Sequence, residues 1–308
     1  MQTLNNWHPL FNPGSTPLQV IENYQNINIS IKRDDLNHKI IQGNKLRKLK
    51  YNIKYAIDNN FDSIATFGGA WSNHILATAS AAALCHVNSV GFIRGDELEN
   101  QPNKWSPTLV QASNYGMKLV FLSRQEYREK LLGHSVKKFI ENHSHSIYFI
   151  PEGGSNTRAL QGVSEIIDEL AEQTKQPGYI ITACGTGGTM AGLIDGVAQH
   201  KWKTKVIGVS VLKGANYLTD EVKRLSLYHN KVNWEISHDY HAGGYAKVDN
   251  KTQQFANQFS KKTGIYLDKI YTAKTFYGAY DLIKLGEIQA NSRLVIIHTG
   301  GLQGGIIE

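Results

Sequence analysis

Short apolar runs alternate with stretches of helical spacing along almost the whole chain, and glycines mark where the runs end. No other feature limits the fold so much. Ile27, Ile29 and Ile31 recur at every second residue, the period of a half-buried strand. Leu46, Leu49, Ile53, Ala56 and Ile57 lie on one face of a helix expected from Lys45 to Asn59. Further strands are expected at 63–67, 90–93, 118–122, 147–150, 179–183, 205–211 and 294–298. Helices are expected between them at 72–86, 107–115, 124–142, 158–172 and 189–199. Short apolar strands separated by helices make a parallel sheet covered on both faces, so the expected fold class is α/β. In such sheets ligands bind outside the carboxyl ends of the strands. The clusters Gly68-Gly69, Gly153-Gly154, Gly185-Thr-Gly-Gly188, Gly243-Gly244 and Gly300-Gly301 punctuate those ends.

Composition removes several classes. With 41% apolar and 19% charged residues over 308 positions, the chain is globular and long enough for a sizeable core. No apolar run reaches the roughly 18 residues a membrane span needs. Residues 1–17 are polar, so no secretory signal is expected. Cys85 and Cys184 are the two cysteines, too few and too far apart for a disulfide framework or a CxxC site, which points to a reducing, cytoplasmic setting. The net charge of +7 invites a nucleic-acid reading. Against it, the lysines are dispersed and no zinc-finger, helix-turn-helix or aromatic-plus-basic motif is visible. His143 with His145, and His238 with His241, lack an accompanying acid or cysteine cluster, so no metal is expected.

Three segments could carry chemistry. Gly185-Thr186-Gly187-Gly188-Thr189 joins a strand to a helix, where backbone N–H groups, hydroxyls and the helix dipole can hold a phosphate. It is neither a Walker A loop nor GxGxxG, and a plain tight turn is the alternative. In Gly43-Asn-Lys45-Leu-Arg-Lys48, lysines sit at a helix start, against the dipole. A basic surface turn is one reading. A buried Lys45 beside other cations, with a lowered pKa, is the other. In Gly68-Gly-Ala-Trp-Ser72-Asn73-His74, exposed N–H groups can hold a carboxylate, or Ser72 simply caps the helix.

Taken in order, Lys32-Arg-Asp-Asp35, Gly43-Asn-Lys-Leu-Arg-Lys48, Ser72-Asn-His74, Gly185-Thr-Gly-Gly-Thr189, Leu267-Asp-x-x-Tyr-Thr-x-Lys274 and His298-Thr-Gly-Gly301 resemble a known family. It is the D-cysteine desulfhydrase and 1-aminocyclopropane-1-carboxylate (ACC) deaminase branch of the tryptophan synthase β-like, fold-type II pyridoxal-phosphate enzymes. The resemblance covers nearly the whole chain. It implies a two-domain, three-layer fold: residues 1–49 and 158–308 as the large cofactor domain, 50–157 as the small domain with the Ser-Asn-His loop. It implies pyridoxal 5′-phosphate as cofactor, a small amino acid as substrate and a homodimer.

Roles follow by resemblance, position by position. Lys45 matches the lysine that binds the cofactor covalently, and Lys48 a second lysine near it. Asn73 matches the residue on the cofactor's phenolic oxygen. Gly185, Thr186, Gly187, Gly188 and Thr189 match the phosphate cradle. Ser72, Asn73 and His74 match the substrate-carboxylate loop. Ser72, Tyr271 and, on a looser alignment, Tyr245 join Lys45 in the implied catalytic set. Thr272 and Thr299 stand where the ACC deaminase pattern has Glu and Leu and the D-cysteine desulfhydrase pattern has Thr. Neutral threonines suit a weaker electron sink, which is enough for eliminating a good leaving group. β-Elimination from D-cysteine is therefore expected ahead of ACC ring opening. Trp71 departs from the family's usual Gln.

Overall fold

The computed structural model describes residues 14–143 and 146–302. The polar stretch 1–13 and His145 lie outside the described residues. Strands β1 (Leu18–Tyr24) and β2 (Ile27–Lys32) form a hairpin. Its two-residue turn, Gln25-Asn26, has positive φ at both positions, which matches the twist of the strands. Helix α1 (Asn44–Asp58) buries Leu46, Leu49, Ile53 and Ala56 as its spacing predicts, but also Arg47, Lys48 and Asn52.

Residues 63–150 build a second sheet. In order come β3 (Ser63–Gly69), α2 (Asn73–Leu84), β4 (Asn88–Arg94), α3 (Pro107–Asn114) and β5 (Lys118–Leu122). The single helix expected over 124–142 is broken into α4 (Arg124–Glu129) and α5 (His134–Glu141). The reason is local: Lys130 has a φ of 53° and Gly133 is extended, so the helical path cannot continue. Strand β6 (Ile147–Ile150) closes this part.

The remainder runs α6 (Thr157–Gln173), β7 (Tyr179–Cys184), α7 (Gly188–Gln199), β8 (Lys205–Ser210), α8 (Leu218–Leu225), β9 (Trp234–Ser237), α9 (Asn250–Thr263), α10 (Thr272–Lys284) and β10 (Arg293–Ile297). Two sheets result, ordered β1-β2-β10-β7-β8-β9 and β5-β4-β3-β6. Every pairing is parallel except β1 with β2. Each sheet is covered on both faces. One face of the larger packs Ile29, Ile207 and Leu294 against Phe259 and Phe276, and the other packs Ile180 and Val206 against Ile167 and Leu193. The smaller sheet does the same with α1 and α2 on one side and Tyr127, Val136 and Phe139 on the other. Helix α1 runs unbroken through residue 49, packing against both the small sheet's core and α6. Among the described residues, no helix is long and apolar enough to cross a membrane.

Candidate active site

The carboxyl ends of strands from both sheets open onto one cavity of about 1020 Å³. Lys45 enters it from the first turn of α1. That turn is fixed by its surroundings: the Asn37 side chain both accepts from Gly43 N–H and donates to Gly43 C=O, each at 2.9 Å. Asn44 N–H donates to the Thr299 carbonyl at 3.2 Å. Gly43 has a φ of 64°, and a Cβ there would collide with the same carbonyl, so only glycine lets the two segments approach. The Lys45 amine has no carboxylate partner among the described residues, and burial pushes its pKa down to about 8. Lys48, one turn on, is fully buried. Its Nζ donates to Ser155 Oγ at 3.1 Å and Gly153 O at 3.2 Å. Burial, and then the charge of Lys45, hold it well below the ordinary lysine range.

Lys48 meets the glycine loop. Gly187, at φ 75°, precedes α7 without any side-chain cap, which leaves the N–H groups of the first helical turn free. A Cβ at Gly188 would strike Ser155 Oγ and lie 3.2 Å from Lys48 Nζ. Gly188 thus underlies the wall, while Gly185, Thr186, Gly187 and Thr189 line it. Thr186 Oγ1 is 2.7 Å from Ser155 Oγ, and Thr189 Oγ1 accepts from Asn44 Nδ2 at 2.8 Å. A helix N-terminus, a buried lysine and hydroxyls on one wall suit a phosphate.

The Ser72 hydroxyl accepts from Ile75 N–H at 3.4 Å, so the capping role weighed above is real. Ser72 also lines the cavity, as do Asn73, His74 and the half-exposed Trp71. Asn73 Oδ1 is buried with no partner. An orphaned acceptor of this kind awaits a donor from whatever fills the cavity. His74 Nε2 lies 2.9 Å from Thr66 Oγ1, whose own proton goes to Ile150 O. The network therefore assigns hydrogen to Nε2 and leaves Nδ1 a buried, unpaired acceptor. Burial, then the charges of Lys45 and Lys48, hold the ring well below its usual pKa and neutral.

Tyr271 and Tyr245 face each other edge to face, with ring centroids 6.5 Å apart. Asp268 fixes the first by accepting from the N–H groups of Ile270, Tyr271 and Thr272 at 2.8–3.0 Å. Tyr245 rides on a loop in which Ala242 and Ala246 both have positive φ. Lys274, fully buried, pins that loop by donating to Gly244 O at 2.7 Å and Val211 O at 3.3 Å. Burial raises both phenol pKa values, that of Tyr271 well above the ordinary range, with Tyr245 and Asp268 adding to it. Both tyrosines are therefore protonated donors.

Two expected positions differ. Thr299 lines a small side chamber together with Lys45, Asn73 and Tyr271. Thr272 lines neither space: it is fully buried, and its hydroxyl donates to Asp268 Oδ1 at 2.7 Å. Its place at the start of α10 turns the side chain inward, where its hydroxyl braces the Asp268 turn that fixes Tyr271. Asn44, Ser155, Asp268 and Lys274 were not singled out by sequence reasoning. Asn44, Asp268 and Lys274 fell inside quoted motifs, and Ser155 followed a glycine pair already noted.

A family model described as pyridoxal-phosphate dependent enzyme matches residues 10–300. The chain belongs to that family. Among its relatives, a Thermotoga maritima protein described as a putative 1-aminocyclopropane-1-carboxylate deaminase is 32% identical over 303 residues, covering 94% of each chain. The bifunctional D-cysteine desulfhydrase/1-aminocyclopropane-1-carboxylate deaminase of Arabidopsis thaliana is 32% identical over 290 residues, 89% of this chain and 72% of that one. A solved structure described as an ACC deaminase homologue superposes with a TM-score of 0.84 at 26% identity, covering 96% of this chain and 92% of its own. The cofactor of the family is pyridoxal phosphate. The free helix N-terminus beside Lys48 and the orphaned Asn73 Oδ1 fit its phosphate and its ring hydroxyl.

Proposed function

We propose that the chain is an amino-acid lyase that eliminates the β-substituent of D-cysteine or a related amino acid, giving pyruvate, ammonia and, from cysteine, sulfide. The observation that carries this reading is the Lys45 amine. It stands in the cavity with no acid partner among the described residues, lowered to about 8, opposite a ready anion cradle. An amine near neutrality is both nucleophile and base at working pH. Lys45 would attach the cofactor, Lys48 and residues 185–189 would hold its phosphate, and Asn73 would meet its phenolic oxygen. When bound, pyridoxal phosphate supplies the electron sink that lets the substrate Cα–H bond break. The Ser72 hydroxyl, the Asn73 amide and the backbone N–H groups at the start of α2, that of His74 among them, orient the substrate carboxylate. Lys45, freed once the substrate's own amine takes its place, takes the Cα proton, and Tyr271 or Tyr245 donates a proton to the departing group.

The preference for elimination rests on Thr299. The side chamber it shares with Lys45 has no acidic residue in its lining among the described residues. Position 272 no longer contributes to that preference, because its hydroxyl is committed to Asp268. The identity to relatives described as putative ACC deaminases supports ACC ring opening as the second reading. As part of the same proposal, residues 1–49 with 158–308 form one domain and 50–157 the other, the chain pairs as a homodimer, and it works in the cytoplasm.

Lys45→Ala is expected to lose the visible absorbance of bound cofactor and nearly all keto-acid release. Retention of both sinks the assignment. A side-by-side assay of D-cysteine, L-cysteine, β-chloro-D-alanine and ACC separates the two readings.

A further inference from the structure

One wall of the cavity has cations that the roles above do not use. Arg94 is the last residue of β4 and pairs in register with Gly69, which leads into the Trp71–His74 loop. Its Nη2 lies 3.4 Å from where a Cβ of Gly69 would be, so the guanidinium lies across the entry to that loop. It makes no ion pair among the described residues; its recorded neighbour is the Tyr127 ring, 5.7 Å away. Arg124 and Arg128, exposed on α4, line the same cavity and also lack a carboxylate partner among the described residues. The acids on this wall do not balance them. Glu152 is taken by Lys130 at 2.7 Å and by the Tyr127 hydroxyl at 2.6 Å. Glu97 forms no ion pair among the described residues.

The lining holds six cations, Lys45, Lys48, Arg94, Arg124, Arg128 and Lys130, against two acids, Glu97 and Glu152. Setting aside the two lysines at the glycine loop still leaves four against two. A small zwitterionic amino acid brings a single carboxylate, and the Ser72–His74 loop already receives it. Guanidinium groups suit planar or tetrahedral oxyanions through paired N–H donors.

We propose that Arg94, backed by Arg124 and Arg128, receives a second anionic group, so that among the amino acids this site accepts, those carrying a negative charge beyond Cβ are preferred over their neutral counterparts. This rests on the elimination reading and narrows it. In the reaction, the Cα–H bond breaks as Lys45 takes the proton. The bond from Cβ to the substituent then breaks, and the anionic substituent leaves with the electron pair and a proton. One water converts the remaining three-carbon product to pyruvate and ammonia.

The test compares shape-matched substrates on the holoenzyme: S-carboxymethylcysteine and its neutral amide, S-carbamoylmethylcysteine, in both enantiomers, with O-phosphoserine as a phosphate arm and β-chloroalanine as a small neutral control. Pyruvate release should favour the acid over the amide by about tenfold or more in kcat/KM. Arg94→Gln should collapse that ratio toward one, chiefly through KM. Preference for O-phosphoserine over S-carboxymethylcysteine would assign the wall to phosphate, the reverse to carboxylate. Equal turnover of acid and amide by the unaltered enzyme overturns the proposal, as does an Arg94→Gln variant that keeps the ratio. If β-chloroalanine and every other compound fail to react, the elimination reading is what fails. Calorimetric binding of the acid and the amide to the holoenzyme then decides on Arg94 alone, and equal affinities overturn it.

Discussion

Helix α1 points basic residues into two opposite settings within four positions. Arg47 faces a closed ion network. Its guanidinium meets Asp34 at 2.8 Å and Glu169 at 2.5 Å, and Glu169 also holds fully buried Lys32 at 2.6 Å. Lys45 and Lys48 face the cavity and meet no carboxylate among the described residues. The contrast separates two uses of a buried cation. A guanidinium stays charged in any protein and must be matched, so it serves as scaffold. An amine can shed its proton when unmatched, and so becomes available for chemistry. The two sides are also joined mechanically. Asp34, which holds Arg47, accepts the Gly43 N–H through its carbonyl at 3.1 Å, so the network anchors the turn that carries Lys45.

The largest effect expected from this comparison comes from breaking the matched side. Arg47→Met leaves the Asp34 and Glu169 carboxylates short of a buried partner, which costs about 3–5 kcal/mol of folding stability. Urea denaturation of the apoprotein measures it. A loss below about 1 kcal/mol would mean the network contributes little to holding α1.

The second prediction sets the two sides against each other through pH. Burial alone would raise Glu169, but the hydrogen bonds and charges of Arg47 and Lys32 outweigh it and bring the carboxyl from 4.5 to about 2. Its stabilising contribution is therefore present above pH 4.5 and is lost as pH falls toward about 2. Lys45 has the opposite sign of dependence. Burial lowers it from 10.5 to about 8, so between those values the unfolded chain holds a proton that the folded apoprotein does not. Stability from this group rises with pH across that window, by at most about 1.4 kcal/mol per pH unit. Lys45→Met should flatten part of the alkaline rise and leave the acid limb, while Glu169→Gln should do the reverse. A Lys45→Met profile that parallels the unaltered protein from pH 8 to 10.5 would show that the amine is not held neutral.

Much of the scaffold was legible because it rests on local periodicity. The strands at 118–122 and 147–150 are observed at their expected bounds, and the glycine clusters at 68–69 and 185–188 do sit where strands turn into cavity walls. What escaped depends on tertiary partners. Strand β1 has no clear alternation of burial, and it exists through pairing with β2. The break at Lys130 is a backbone event inside a run whose apolar spacing still reads as helix. Thr272 shows the limit for the site. A motif can place a residue in sequence beside Tyr271, but only the path of α10 decides that its hydroxyl turns to Asp268. Arg94 lies in no quoted motif, and what brings it to the Ser72 loop is strand register.

The smallest effect, and the sharpest check on the unmatched side, is Lys48→Met. The substitution nearly preserves volume and removes an amine already held well below its ordinary range. Its hydrogen bonds to Ser155 Oγ and Gly153 O are modest for an amine that burial and the charge of Lys45 press toward the neutral form, and Ser155 keeps its contact with Thr186. The apoprotein should therefore change in stability by no more than about 1 kcal/mol. A phosphate in the cradle, by contrast, would favour the protonated amine and make a charge-assisted bond, so cofactor affinity should fall about tenfold. Equilibrium dialysis against pyridoxal phosphate, run beside urea denaturation, reads the two quantities separately. If Lys48→Met were as destabilising as Arg47→Met while binding the cofactor normally, Lys48 would belong with the scaffold, and the division of α1 into a matched and an unmatched side would fail.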